Sequence, residues 1–540
     1  MKKYILLLIL FTLGQQVFAQ VRFIERYEVA SDMNDPLFEM IDSDVGLVSF
    51  RTLPEKGLNL RRNFQYFVTD SSLNSKEGLV VFPVKEGYDM LGYDTDGKLL
   101  FALMTKGFAM NAPKYLLQVN LETKQGKEFV VDNVLDMELV EFLVQDQKAM
   151  FMGTSETRPV LQIHDLVTKS VHTLQGIYGN DTQILQIRKM PETKTLEVVL
   201  SRKGLYRSRD LFINTYDMAG NLIRELKVDE FADPGQEIMD GLLVSTGAYQ
   251  EAMVGAFGLA RRNDYQGMYI MNINEFGEYD FKLYTLQDFP NFYNYLNEKN
   301  KAKRDRYIQK DLDKNKVPVI NSKYSIRDVR QTPDAYYVYF DQYTISNSRS
   351  GYQNGIYSTA GGYRYDRWSR MGTTIINDPY LANRFPMAGS YQTVPEYRYV
   401  SAHFAKIAKT GQVIWDNAIS YDEMVTNYPE AFGEVAVVGD DLYHMFVEDE
   451  TIKLSFFRNG ERIFENQEFD LGLVNDGERI RDTNRESLRL IHWYDRYYLL
   501  SGTQRVRFMN DKGVDEVREV YFLSKIAVDG DLYRPEDLPD

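Results

Sequence analysis

The sequence predicts an all-β chain, a β-propeller of seven or eight four-stranded blades with one helical and one loop insertion, and three observations carry that prediction. The chain holds 38 Tyr and 31 Phe against 16 Pro, and aromatic side chains fit the pleated, half-buried surface of a strand. A unit of strand, polar turn and strand recurs along it. Its spacing stays near about fifty residues, the range in which a fixed period builds propellers and solenoids.

The chain opens with Met1-Lys2-Lys3, an apolar run from Tyr4 to Leu13, the polar Gly14-Gln15-Gln16 and the small-residue ending Val17-Phe18-Ala19. This order predicts a signal peptide over 1–19, cleaved before Gln20. A membrane anchor would need about 20 apolar residues, roughly twice what is present. No later stretch approaches that length, so residues 20–540 are expected to form one exported propeller domain without a transmembrane segment. The expected location is the periplasm, with peripheral association to the outer membrane. There is no cysteine, which removes disulfides, thiolate metal sites and a lipoprotein anchor together.

The clearest copies of the unit run Tyr115 to Val131, Pro159 to Leu174, Leu211 to Val228, Gly267 to Tyr284, Ala402 to Trp415 and Ile452 to Phe469, with an earlier one over Phe64 to Phe82. Their tips at Gly126, Ser170, Gly220, Gly277, Gly411 and Gly460 stand 44, 50, 57, 134 and 49 residues apart. Two further strands, Met137 to Gln145 and Lys148 to Gly153, precede the Pro159 hairpin and complete a four-stranded blade. Near the C-terminus, Leu488 to Trp493, Tyr497 to Ser501 and Glu519 to Val528 read as three strands. The N-terminal Val21 to Val29 is expected to supply the fourth, leaving that sheet no free edge.

The 134-residue gap either hides an eighth blade or is filled by insertions. One insertion, Asp288 to Lys316, reads as helical. Its part from Glu298 to Lys316 carries eight Lys or Arg against four acids, a basic island on a chain of net charge −15. Just before it, Phe289, Phe292, Tyr293, Tyr295 and Leu296 are placed either to pin the helix to the propeller or to meet a partner. The second insertion, Ile345 to Thr393, is rich in Gly, Ser, Tyr and Arg and reads as long loops. Tyr352, Tyr357, Tyr363, Tyr365, Arg367, Trp368 and Arg370 fall within it, and Tyr, Trp and Arg dominate binding hot spots. Together with Phe292, Tyr293, Arg304 and Arg306 they form the expected partner contact.

Chemistry is harder to find. The acidic balance disfavours nonspecific binding to nucleic acid or to an anionic membrane by the chain as a whole. None of the five histidines, His164, His172, His403, His444 and His492, stands in a ligand spacing, so no metal and no cofactor is expected. Asp311-Leu312-Asp313-Lys314-Asn315 starts like a calcium loop, but Lys316 replaces the turn glycine and Ser322 the closing glutamate. Asp94-Thr95-Asp96-Gly97 reads as a hairpin tip in which glycine supplies the positive φ. No nucleophile elbow, Walker loop or dinucleotide fingerprint is present, and no catalytic residue is assigned. Residues Ala405 to Trp415 resemble the blade motif of quinoprotein-type propellers, departing from it at Ile407. There the motif is expected to act in packing, with Trp415 reaching across to the next blade.

The leader ending before Gln20 and the blades rich in Tyr, Phe, Asn and Lys resemble uncharacterised exported propellers of Bacteroidota. That resemblance implies a resident accessory of the type IX secretion or gliding apparatus, since the end Arg534 to Asp540 does not look like a cargo signal domain. The expected function is therefore a noncatalytic interaction subunit of an envelope assembly, contacting envelope proteins through the insertions. The competing expectation is a glycan-active propeller, a lectin, glycoside hydrolase or polysaccharide lyase. In a hydrolase the carboxylates would come from different blades and face each other across about 5 to 10 Å.

Overall fold

The computed structural model describes residues 20–529 apart from 56–60, 108, 157, 181, 204–208, 229–235, 248–249, 260–263, 321, 347–373, 376–395, 422–423, 427–432, 476 and 511. The fold is all-β, a β-propeller of eight sheets, each built on four antiparallel strand positions. In seven of them, blades 1 to 7, successive strands pair in chain order. Every expected hairpin is the third and fourth strand of a blade, as with Lys114–Asn120 and Gly126–Val131, or Thr451–Arg458 and Glu461–Asp470. Among the described residues the long gap adds no extra blade. Gly277 and Gly411 are the tips of consecutive blades 5 and 6, and the eighth sheet comes from the C-terminal strands.

The chain forms two compact units, one of Phe38–Ser71 and Ser75–Ala431, the other of Met1–Leu37, Ser72–Asn74 and Phe432–Asp540. The first contains blades 1 to 6. The tips of blades 4, 5 and 6 each rest on the blade before: Gly220 lies against Leu174, Gly277 against Arg224 and Gly411 against Lys282. At Gly411 both demands on glycine meet, because φ is +82° and a methyl group would come within 2.5 Å of the Lys282 side chain. First strands converge as well. Asp94 of blade 2 accepts from the backbone N–H of Val144 in blade 3 at 2.6 Å and holds Lys189 Nζ of blade 4 at 2.6 and 2.7 Å. Gly97 does turn the hairpin with φ +61°, but Asp94 is a buried cross-blade pin, and burial pushes its carboxyl up to about 6.

The second unit holds blade 7 and the C-terminal sheet. There Gln20–Ala30 pairs antiparallel with Asp515–Asp529, so the N-terminal strand is the fourth strand of the last blade. Glu28 binds Arg518 at 2.6 Å, and Lys525 meets Glu25 at 3.2 Å while sitting over the rings of Trp493, Tyr494 and Tyr497. The first strand of this blade is split into Arg479–Thr483 and Arg489–Tyr494, which pair with two halves of one long partner, Tyr497–Met509.

Candidate functional site

Blade 6 departs from the period. Its strands are Lys323–Gln331, Ala335–Ser346, Glu396–Ala408 and Val413–Ser420. The register pairs Lys323 with Tyr343, Ile345 with Tyr397, and Ser401 with Ser420. The start of the first strand, the end of the second, the start of the third and the end of the fourth therefore lie at one end of the sheet. Both insertions leave from that end: the helical one enters the first strand, and residues 347–395 join the second to the third.

The helical insertion has two parts of opposite character. After the last strand of blade 5, Thr285 caps a short 3-10 turn over Leu286–Asp288. The following Phe289, Phe292 and Tyr293 are buried in the apolar core of blades 5 and 6, with Tyr295 and Leu296 packed on its margin. Backbone and side-chain amides of Asn291 donate to Asp416, the backbone N–H at 2.9 Å, and Asn294 donates to Asn417 at 3.1 Å. The helix itself runs Glu298–Leu312, capped by Asn297, and buries no residue. Phe292 and Tyr293 thus serve to pin the insertion, whereas Arg304 and Arg306 are exposed.

Beneath the pinned segment lies a polar group that single-residue reading does not reveal. Ser401 Oγ donates to Gln342 Oε1 at 2.9 Å and stands 2.8 Å from His403 Nε2. Because its one proton goes to Gln342, Ser401 accepts from Nε2–H, leaving Nδ1 as a bare acceptor with no hydrogen-bond partner among the described residues. The His403 ring is stacked on Phe340 at 4.8 Å and covered by Phe292 at 4.3 Å. Burial lowers its pKa to about 3, so the imidazole is neutral and a poor general base. Burial likewise pushes the neighbouring Tyr295 up to about 12.

On the opposite face of the same end, Asp341 is wholly buried and accepts from Arg327 Nε and Tyr421 Oη, each at 3.0 Å. Tyr421 and Tyr339 hydroxyls touch at 2.9 Å, and Arg327 reaches Tyr399 at 3.4 Å. Burial raises Asp341, with Arg327 as the main opposing influence. Burial alone would lower Arg327, but Tyr399 and Asp341 outweigh it and the guanidinium is held above its ordinary value. Tyr343 packs at a tilt against Tyr397 and Tyr399 beside this network, at the root of the loop insertion. Sequence reading missed Arg327, Asp341, Tyr339, Tyr399 and Tyr421. The available signal was an acid inside Tyr336 to Tyr343, a strand apolar on both faces.

Tyr352, Tyr357, Tyr363, Tyr365, Arg367, Trp368 and Arg370 lie outside the described residues. Within the loop insertion the described Thr374–Ile375 pairs antiparallel with Tyr93 and Gly92, on the otherwise open side of the first strand of blade 2. The described ring contact of Trp415 is with Tyr337 of its own sheet, edge-on at 6.0 Å. Elsewhere a buried carboxylate pair, Glu197 and Glu251, joins blades 4 and 5 by sharing Arg188 and Arg224 at 3.0 to 3.5 Å. Burial and the neighbouring Glu251 raise Glu197. Among the described residues no three His, Asp or Glu gather into a metal-binding group, and no helix is long and apolar enough to cross a membrane.

No family model matches the chain, and no curated protein matches it significantly. Solved structures do. Polysaccharide lyase Uly1 is 9% identical over 94% of this chain and 100% of its own, with a TM-score of 0.37. The β-propeller domain of the Trilobed protease from Pyrococcus furiosus is 9% identical over 79% of this chain and 97% of that one, at 0.31. Acylaminoacyl peptidase of Pyrococcus horikoshii is 9% identical over 79% of this chain, at 0.31, and the chain spans 52% of that protein's length.

Proposed function

We propose that this chain is a noncatalytic interaction subunit, and that one end of blade 6 is its partner surface. The observation that carries the reading is the shared origin of the two insertions: the exposed helix Glu298–Leu312 and the Tyr- and Arg-rich segment 347–395 leave the same end of the same blade. Long insertions in compact folds are more often functional than incidental. The buried Arg327–Asp341–tyrosine network and the Phe289 to Leu296 anchor give both insertions a rigid base, which lowers the ordering cost of binding. Taken with the leader read over 1–19, the setting is the periplasm, and the resemblance to exported Bacteroidota propellers makes the type IX secretion or gliding assembly the candidate host.

The test uses the full mature chain as bait in native envelope extracts, beside a variant in which a short turn joins Ser346 to Glu396, residues already paired across the ladder. The expected result is a stoichiometric partner recovered by the native chain and lost by the variant. Recovery of no partner, with the purified protein cleaving or binding a polysaccharide, overturns the reading in favour of a glycan-active propeller.

A further inference from the structure

The helix Glu298–Leu312 segregates its charges in a way that a merely solvated helix does not require. At about 100° per residue, Lys299, Lys303, Arg306 and Lys310 lie within an arc of about 60°, a stripe at i, i+4, i+7 and i+11 about 16 Å long. All four are exposed. The half-buried Lys301, Ile308 and Leu312 lie on the opposite side, where Ile308 packs on the core of blades 5 and 6. The acids Glu298, Asp305 and Asp311 all fall at least about 80° from the stripe. Arg304 falls about 100° from the stripe as well.

Solvated surface helices usually relieve their charges by pairing opposite signs three or four residues apart. Here the neighbours along the stripe are Lys299 with Lys303, Lys303 with Arg306, and Arg306 with Lys310, each a like-charge contact that weakens the helix. Among the described residues none of the four forms an ion pair. Arg306 Nε donates only to the backbone carbonyl of Ala302, at 3.2 Å. On a chain of net charge −15, four uncompensated cations in a row facing away from the body point to an anionic occupant. The stripe carries no apolar side chain that could enter a bilayer, and three of its four charges are lysines, which act as point charges without the fork geometry of arginine.

We propose that the stripe Lys299–Lys303–Arg306–Lys310 docks an acidic peptide segment of a protein partner by charge complementarity. This deepens the interaction reading above and rests on it. The probe is fluorescent poly-L-glutamate, titrated against the mature chain by anisotropy from about 50 to about 300 mM salt, a range over which screening tightens markedly. The expected result is salt-sensitive binding that falls at least about tenfold in the quadruple variant Lys299→Gln, Lys303→Gln, Arg306→Gln, Lys310→Gln. A control quadruple, Lys76→Gln, Lys106→Gln, Lys169→Gln, Lys512→Gln, removes the same charge from exposed positions elsewhere and is expected to bind as the native chain does. Equal losses in both variants, or tighter binding to phosphatidylglycerol vesicles or polygalacturonate than to polyglutamate, overturn the stripe. A native partner kept by the stripe variant and lost by the Ser346–Glu396 replacement also overturns it, while leaving the interaction reading intact.

Discussion

Residues 289–296 and 298–312 adjoin in sequence and share one insertion, yet one belongs to the core and the other to the solvent. The first places Phe289, Phe292 and Tyr293 among buried residues and spends its amides on Asp416 and Asn417. The second has no fully buried residue and leaves Lys299, Lys303, Arg306 and Lys310 exposed. The difference shows how a repeat fold carries an appendage: a short aromatic anchor fixes position, and the following helix adds to the core only through the half-buried Ile308 on its inner side.

The strongest way to break that contrast is Phe292→Ala. Phe292 contacts His403, Phe340 and Tyr293, and its truncation should cost about 3 to 5 kcal/mol, read as a lower denaturant midpoint. A loss below about 1 kcal/mol would show that the anchor is only loosely seated. Next comes pH. His403 is lowered by burial to about 3, so its neutral form contributes stability in full above the ordinary histidine value, and that contribution is lost as pH falls toward 3. The advantage of the native chain over His403→Gln should shrink by about 1.4 kcal/mol for each pH unit between about 6 and about 4. A pH-independent difference would mean that the ring is wetter than its packing shows. Comparing the two chains cancels Asp416, whose carboxyl burial raises to about 6 and whose contribution runs oppositely, being lost as pH rises.

A smaller effect is expected at Asp416 itself. Asp416→Ala leaves the Asn291 amide without its acceptor and should cost about 1 to 3 kcal/mol, with faster hydrogen exchange confined to 289–296. On the helix the sign reverses. The stripe variant removes three like-charge neighbours and should be more stable than the native chain by about 0.5 to 1.5 kcal/mol in low salt. Smallest is Tyr307→Ala, an exposed position on the helix, expected to stay within about 0.5 kcal/mol of the native chain in thermal unfolding.

Much of the fold was legible because a blade writes its pattern locally. Alternation at Tyr115 to Asn120 or Leu211 to Asp217 marks strands, and Gly220 or Gly411 marks a turn that only positive φ can close. The pairing of Gln20–Ala30 with Asp515–Asp529 was also legible, since three C-terminal strands lacked a fourth. The blade count was left between seven and eight because an insertion and a missing period look alike in a chain of letters. The site was legible only as a region. That Asp288 to Lys316 and Ile345 to Thr393 interrupt the repeat is plain from composition, but not that both leave one end of blade 6, which depends on strand register.

By itself, then, the sequence determined the strand-and-turn units, the period and the places where it fails, because backbone propensity and side-chain alternation act over a few residues. Only the tertiary structure decided that Asp94 binds Lys189 across blade 3, that Asp341 holds Arg327 and Tyr421, and that His403 is sealed beneath Phe292. Those partners are far apart in the chain, and a buried polar group reveals its role only when the distant group that satisfies or covers it is brought against it.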